Sequence, residues 1–324
     1  MNFLNIFKIF SSELELVEEK IDDFLKGDLK VLNRVNNYIL SSKGKRLRPI
    51  LLLLTSKILG NDSDIRYKLA AIVELIHTAT LVHDDIIDNS EVRRGNPSVN
   101  NMFGNQISVL AGDWIYMTCF NLALLERNFD ILDILMEVTL KMVEGELLQL
   151  DLIGNVDITI DETLEIAKRK TAYLFSTAMK LGVIGGEYDG DLLRKLGEIG
   201  INMGLSFQLQ DDILDYIADE KNLGKPKMRD LLEGKVTLPL ILLLKKRGTD
   251  LRGKIKKVME EKKYHVISRD ELLSLLVKEG ALEESRNIAR NYGEKAISLA
   301  STLPENKYRD MLIEIANFIV NRDR

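Results

Sequence analysis

Cysteine, proline and long uninterrupted apolar runs are the scarce features of this 324-residue chain. Cys119 is its only cysteine, so no disulfide can form within the chain, and a reducing, cytoplasmic setting is the expectation. Five prolines leave few helix breakers. No tract rich in proline, serine and glycine divides the sequence, no block of like charge forms a tail, and no short-period repeat is visible. The apolar runs that begin at Ile50 and Leu238 are too short to span a bilayer. The opening MNFLNIFKIFSSELELVEEK has a lysine inside its apolar part and no small-residue cleavage site, which fits a helix better than a signal peptide. Basic residues are scattered and the net charge is −5, which argues against nucleic acid as a partner.

What remains is helical patterning. The chain is 45% hydrophobic, enough for a large core. Its apolar residues recur three and four apart, as from Asp161 to Ile184, with little strand-like alternation. The expectation is an all-α protein: one domain over residues 1–324, a bundle of roughly ten or more helices. Phe3, Leu4, Phe7 and Phe10 share one face of the first helix, which packs on the body, on a second subunit or on a membrane.

Two acidic stretches stand out. In LVHDDIIDNSEVRR, Asp84 and Asp88 are four apart and share a helix face, with Asp85 about 100° around from Asp84. Carboxylates so close repel, so they raise their pKa values or recruit a cation. Oxygen-only ligands suit Mg²⁺, which bridges to a substrate phosphate, and Arg93 and Arg94 are placed to take phosphate oxygens the metal leaves. The plainer reading is an acidic helix end beside a solvated basic loop. Far along the chain, FQLQDDILDY repeats the pattern with Asp211, Asp212 and Asp215. Two D-D-x-x-D copies facing each other across a cavity could hold several divalent ions and one diphosphate. KGKRLRP places Lys43, Lys45, Arg46 and Arg48 around Gly44 as a grip for a second anion, and Lys170, Thr171, Lys225 and Lys235 add basic and polar groups. His77 lies two turns before Asp84, either as a hydrogen-bonded core residue or as part of the site.

In family order, GKRLRP, ELIHTATLVHDDIIDNSEVRRG, VLAGDW, EGELLQL, the Lys170–Thr171 pair, FQLQDDILD, the GK at Lys225 and EGKVTLPL resemble the trans-isoprenyl diphosphate synthases, or polyprenyl synthetases. The ending IANFIVNRDR is similar to the long-chain branch, most nearly its octaprenyl diphosphate synthases. The resemblance implies an isoprenoid synthase bundle around a deep central cavity, with about two to three Mg²⁺ ions per site. It implies Asp84, Asp85, Asp88, Asp211 and Asp215 as metal ligands, with Asp212 and Lys170 also catalytic. Arg93, Lys170, Thr171, Gln208 and Lys225 would hold an allylic diphosphate, unless Gln208 sits nearer the second substrate. Lys45, Arg48, His77 and Arg94 would bind isopentenyl diphosphate, and Lys235 adds a further substrate contact. A homodimer and passing membrane contact for product release are further implications.

The implied reaction is head-to-tail prenyl transfer. Metals and cations stabilise the departing diphosphate, the isopentenyl double bond attacks the allylic carbon, and proton loss restores an alkene. Ala79 and the small Thr80, one turn before Asp84, would leave room for a growing tail and favour a product of about octaprenyl length, such as a quinone side chain. Met117, Phe120, Leu135 and Met136 are candidates for the tunnel floor. Met228 and Arg229 stand where family members commonly carry glycine and aspartate, which puts the Lys225–Asp230 end of the second site in question. Competing readings are a shorter-chain synthase, a terpene cyclase, and a non-catalytic subunit of a heteromeric synthase.

Overall fold

The computed structural model describes residues 3–41, 44–217 and 227–322, with side chains from residue 5 onward. Its helices are, in chain order, α1 (Phe3–Ile9), α2 (Ser11–Phe24), α3 (Lys30–Ser41), α4 (Leu47–Ile58), α5 (Ile65–Ile87), α6 (Val99–Phe103) and α7 (Asn105–Leu125). There follow α8 (Phe129–Asp151), α9 (Ile160–Ala167), a π-helical turn (Lys168–Ala172), α10 (Tyr173–Leu181) and α11 (Gly190–Ile217). The last are α12 (Arg229–Leu232), α13 (Leu238–Lys246), α14 (Thr249–Glu261), α15 (Arg269–Lys278), α16 (Ala281–Ala300) and α17 (Lys307–Val320). One two-residue hairpin, β1 (Val92–Arg93) with β2 (Asn96–Pro97), is the sole sheet among the described residues. The all-α expectation holds.

The helices form two compact units from interleaved stretches: Met1–Thr139, Leu174–Gly197 and Ser301–Glu314 in one, Leu140–Tyr173, Glu198–Ala300 and Ile315–Arg324 in the other. In the first unit, α4 is buried from Pro49 to Ser56 and α5 from Leu69 to Ile76. A helix buried all round needs no polar stripe, which is why β-branched residues are tolerated there against propensity. Ile6 and Phe10 are fully buried and Phe10 meets Tyr308 edge to face, centroids 6.3 Å apart. The Phe10 side of the first helix is therefore a packing face.

In the second unit, α13 is buried from Leu238 to Leu244, with a proline in its first turn where no backbone donor is lost. Each fully buried leucine stabilises by about 1.5–3 kcal/mol over an exposed one, so the apolar runs from Ile50 and Leu238 are core helices. Only α7, among the described residues, is long and apolar enough to cross a membrane, by length and composition. It instead packs along α5, and leaves Leu110, Met117, Leu124 and Leu125 exposed.

Candidate active site

The first acidic motif closes α5, and the second lies on α11, described as far as Ile217. At the end of α5 unpaired carbonyls already make the helix negative, so clustered aspartates there are unfavourable unless a cation joins them. In the first unit, Asp84 and Asp88 are half-buried, and the Asp88 amide donates to the Asp84 carbonyl at 2.8 Å. Asp85 points elsewhere. It is buried, and both its oxygens accept from Arg93 Nε at 2.8 Å while Arg93 Nη2 lies 2.6 Å from Oδ1. Arg93 and Asn96 pair across the hairpin, so Arg94 and Gly95 form its two-residue turn. Both have positive φ, 53° and 79°, as a type I′ turn demands. The R-R-G sequence thus aims one arginine back at α5 and sets the other at the tip.

The second basic run comes to the same place. A Cβ on Gly44 would lie 2.8 Å from the Arg94 guanidinium, so the loop backbone and the Arg94 side chain come close together. Arg48 stacks over Phe175, 5.1 Å from the ring centroid. His77 is half-buried, and its pKa falls well below the ordinary value through burial first, then through Arg48, Arg94, Arg93 and Arg46. Burial and the neighbouring arginines both favour the neutral imidazole, and with Arg46 and Arg93 held by carboxylates, Arg48 and Arg94 are the cations best placed to meet an anion. Lys45 is exposed, and Lys43 lies outside the described residues. Arg46 has another role: Glu18 at 2.5 Å and Glu74 at 2.9 Å hold it. Burial works against its charge, but these carboxylates raise its pKa. It anchors the loop, a division of labour that K-G-K-R-L-R-P alone does not disclose.

Ala79 is fully buried on α5. The Thr80 hydroxyl donates to the His77 carbonyl at 2.7 Å, so Thr80 behaves as a small, internally satisfied side chain. Tyr116 of α7 also belongs here: burial, then Asp84, raises its phenol pKa. Of the four proposed floor residues, Leu135 is buried and Phe120 partly so, whereas Met117 and Met136 are 62% and 48% exposed in the single chain.

In the second unit the π-helical turn that carries Lys170 and Thr171 is held between two glycines. A Cβ on Gly145 of α8 would meet Arg169 Cβ at 2.5 Å, and one on Gly204 of α11 would meet Ala172 Cα at 2.4 Å. Such contacts exclude any side chain, and the turn's extra residue redirects what it carries. Lys170 Nζ lies 2.5 Å from Glu146, the second glutamate of EGELLQL. Thr171 Oγ1 donates to Gln208 Oε1 at 2.7 Å, and Gln208 Nε2 donates to Asp212 at 2.8 Å. Burial, then Asp230, Asp211 and Asp215, push the Asp212 carboxyl up to about 8 against the pull of Gln208.

The departure at Met228 resolves locally. Met228 takes the left-handed conformation itself, φ 54°, at a cost of about 1–2 kcal/mol for a non-glycine residue. Its buried side chain, its N–H to the Asp215 carbonyl at 2.8 Å and the Tyr264 hydroxyl donated to its carbonyl at 2.6 Å hold it there. Arg229 is matched by Glu233 at 2.6 Å, which also takes Lys235 at 2.9 Å. Lys225 lies outside the described residues.

Among the described residues, no three His, Cys, Asp or Glu side chains form a ready-made metal cage. Mg²⁺ does not need one: one or two carboxylates, several waters and substrate phosphate oxygens satisfy it. Asp84 with Asp88, and Asp211 with Asp215, fit that open coordination. The donors are all hard oxygens.

An all-α fold whose long helices carry carboxylate clusters, with arginines and lysines in each unit, is that of an isoprenoid synthase. Residues 29–276 match the model of the Polyprenyl synthetase family. The chain is 34% identical to the octaprenyl diphosphate synthase of Escherichia coli (strain K12) over 100% of both chains. It is equally 34% identical to the geranylgeranyl diphosphate synthase of Saccharolobus solfataricus over 97% of each. Among solved structures, a polyprenyl synthase from Caulobacter crescentus CB15, complexed with calcium and isoprenyl diphosphate, superposes with a TM-score of 0.93 at 32% identity, covering 100% of this chain and 98% of that one. The chain belongs to the polyprenyl synthetase family and is a prenyltransferase, a trans-prenyl diphosphate synthase by family.

Proposed function

We propose that the chain is a Mg²⁺-dependent polyprenyl diphosphate synthase that adds isopentenyl diphosphate head to tail to an allylic diphosphate, giving a product of about octaprenyl length for a quinone side chain. The observation that carries the length is Thr80, small and self-bonded one turn before Asp84, beside the fully buried Ala79. Asp84 and Asp88, and Asp211 and Asp215, serve as metal ligands. Asp85 steadies Arg93, and Asp212 receives Gln208. Bound Mg²⁺ supplies charge neutralisation for the departing diphosphate. Lys170, Thr171, Gln208, Arg93 and Lys225 hold the allylic diphosphate. Lys45, Arg48, His77 and Arg94 hold isopentenyl diphosphate, and Lys235 is a further substrate-binding residue. The equal identity to a geranylgeranyl diphosphate synthase favours one second reading, a four-unit product.

Incubation with farnesyl diphosphate, radiolabelled isopentenyl diphosphate and Mg²⁺ decides between them. A product ladder ending near eight units is expected. A stop at four units supports the second reading, and no incorporation removes both.

The enzyme acts as a homodimer in the cytoplasm and meets membrane when it releases product. Support for the dimer is the apolar face of α7, where Leu110 is 68% and Met117 62% exposed, a stripe that a second copy would cover. Replacing Leu110 and Met117 together by glutamate is expected to halve the particle mass in sedimentation. A wild-type protein that sediments as a monomer at micromolar concentration would rule the dimer out.

A further inference from the structure

We infer that Arg322 is the exchangeable counter-ion of the second acidic motif, holding Asp211 in the metal-free protein until a divalent cation displaces it. The inference rests on the proposed reading of that motif as a metal site. Arg322 Nη1 lies 2.6 Å from Asp211 Oδ1, and its guanidinium stacks over Phe207, 5.1 Å from the centroid. Phe207 and Asp211 are one turn apart on α11, so the arginine lies along a single face.

This contact is built by three elements. Gln210 Nε2 donates to the Val320 carbonyl at 2.8 Å, tying the end of α17 to the acidic motif. A Cβ on Gly293 of α16 would lie only 2.0 Å from Val320 Cγ2, so that glycine lets α17 approach. Asn321 closes the last turn with its amide on the Asn317 carbonyl at 3.0 Å, and Arg322 follows.

Charge explains the need. Asp211 and Asp215 are one turn apart on α11 with Asp212 between them, so three carboxylates share one short stretch of helix and repel. A cation on the outermost carboxylate relieves that repulsion. Exposure explains the exchange: the Asp211 side chain is 37% exposed and that of Arg322 17%, so the pair is partly solvated and weak enough to be displaced. Arg322 occupies Asp211 Oδ1 and sets a guanidinium charge beside the carboxylate, so a divalent ion arriving at Asp211 meets like-charge repulsion until the arginine withdraws. Metal binding and docking of Arg322 are therefore antagonistic, and by reciprocity each weakens the other by the same factor.

The test is Mn²⁺ binding to the full chain by electron paramagnetic resonance, in an Asp84→Asn background that weakens the first motif. Arg322→Gln is expected to tighten Mn²⁺ about fivefold at low salt, with the gain shrinking at high salt. It should also lower the melting temperature of the metal-free protein. Arg322→Lys, which keeps the charge, should return the affinity most of the way to that of the parent. Asp211→Asn separates the two levels of the argument. If it weakens Mn²⁺ while Arg322→Gln leaves it unchanged or weaker, the counter-ion role is overturned and the metal site stands. If Asp211→Asn leaves Mn²⁺ binding unchanged, the metal reading falls and the inference with it.

Discussion

Asp84→Asn is expected to reduce turnover by about a hundredfold to a thousandfold, the scale for removing one charge-stabilising group from a reaction that expels an anion. Asparagine keeps the shape of the side chain and removes its charge, so the change is electrostatic. Asp84 is half-buried at the end of α5, where the helix end is already negative. The substitution keeps the size of the side chain, so the melting temperature should change little in the absence of metal. The pair of measurements is steady-state turnover with farnesyl and isopentenyl diphosphates, with Mg²⁺ varied, and a circular dichroism melt. Normal turnover with unaltered Mg²⁺ dependence would remove Asp84 from the metal site. The same change at Asp85 would be a poorer test, because it strips Arg93 of a buried partner and mixes folding with catalysis.

The contrast between those neighbouring aspartates shows where sequence reasoning stops. The three- and four-residue spacing made the helices legible, and D-D-x-x-D with R-R made the chemistry legible, because both are local patterns. Which carboxylate turns towards Arg93 depends on the hairpin, and the hairpin depends on a type I′ turn at Arg94–Gly95 that a helix-focused reading passes over. Arg46 is a similar case. It lies in a basic run that looked uniformly available, yet Glu18 and Glu74 claim it from α2 and α5. Long-range partners leave no spacing to read.

Met228 shows the reverse. Its replacement of a family glycine predicted a restricted backbone, and the structure keeps the left-handed conformation in spite of the side chain. The stabilising contacts come from Asp215 and Tyr264, residues 13 before and 36 after it. Arg322 was visible only as part of a terminal motif, and its bond to Asp211 spans 111 positions.

Ala79→Phe is expected to cut the product from the proposed length of about eight isoprene units to about three or four, without abolishing the first condensation. The argument is steric and directional. Ala79 and Thr80 precede Asp84 by five and four residues, so they lie about one turn, or 5.4 Å, further down α5 from the metal end. A tail growing from a diphosphate held at Asp84 must pass a surface that these residues keep small. Phenylalanine adds a rigid ring, and a ring in the path stops elongation while leaving Asp84, Asp88 and the arginines untouched. Because Ala79 is fully buried, overpacking costs about 1–3 kcal/mol and threatens the fold. Thr80→Phe is the companion variant, since Thr80 is only half-buried and its hydroxyl serves just the His77 carbonyl. The readout is the chain-length distribution of dephosphorylated products at fixed substrate ratio, alongside the rate of the first addition. Shortening in either folded variant, with the first addition within a few-fold of wild type, places the tail along this face of α5. Full-length product from both folded variants would take Ala79 and Thr80 out of the channel and move length control to other helices.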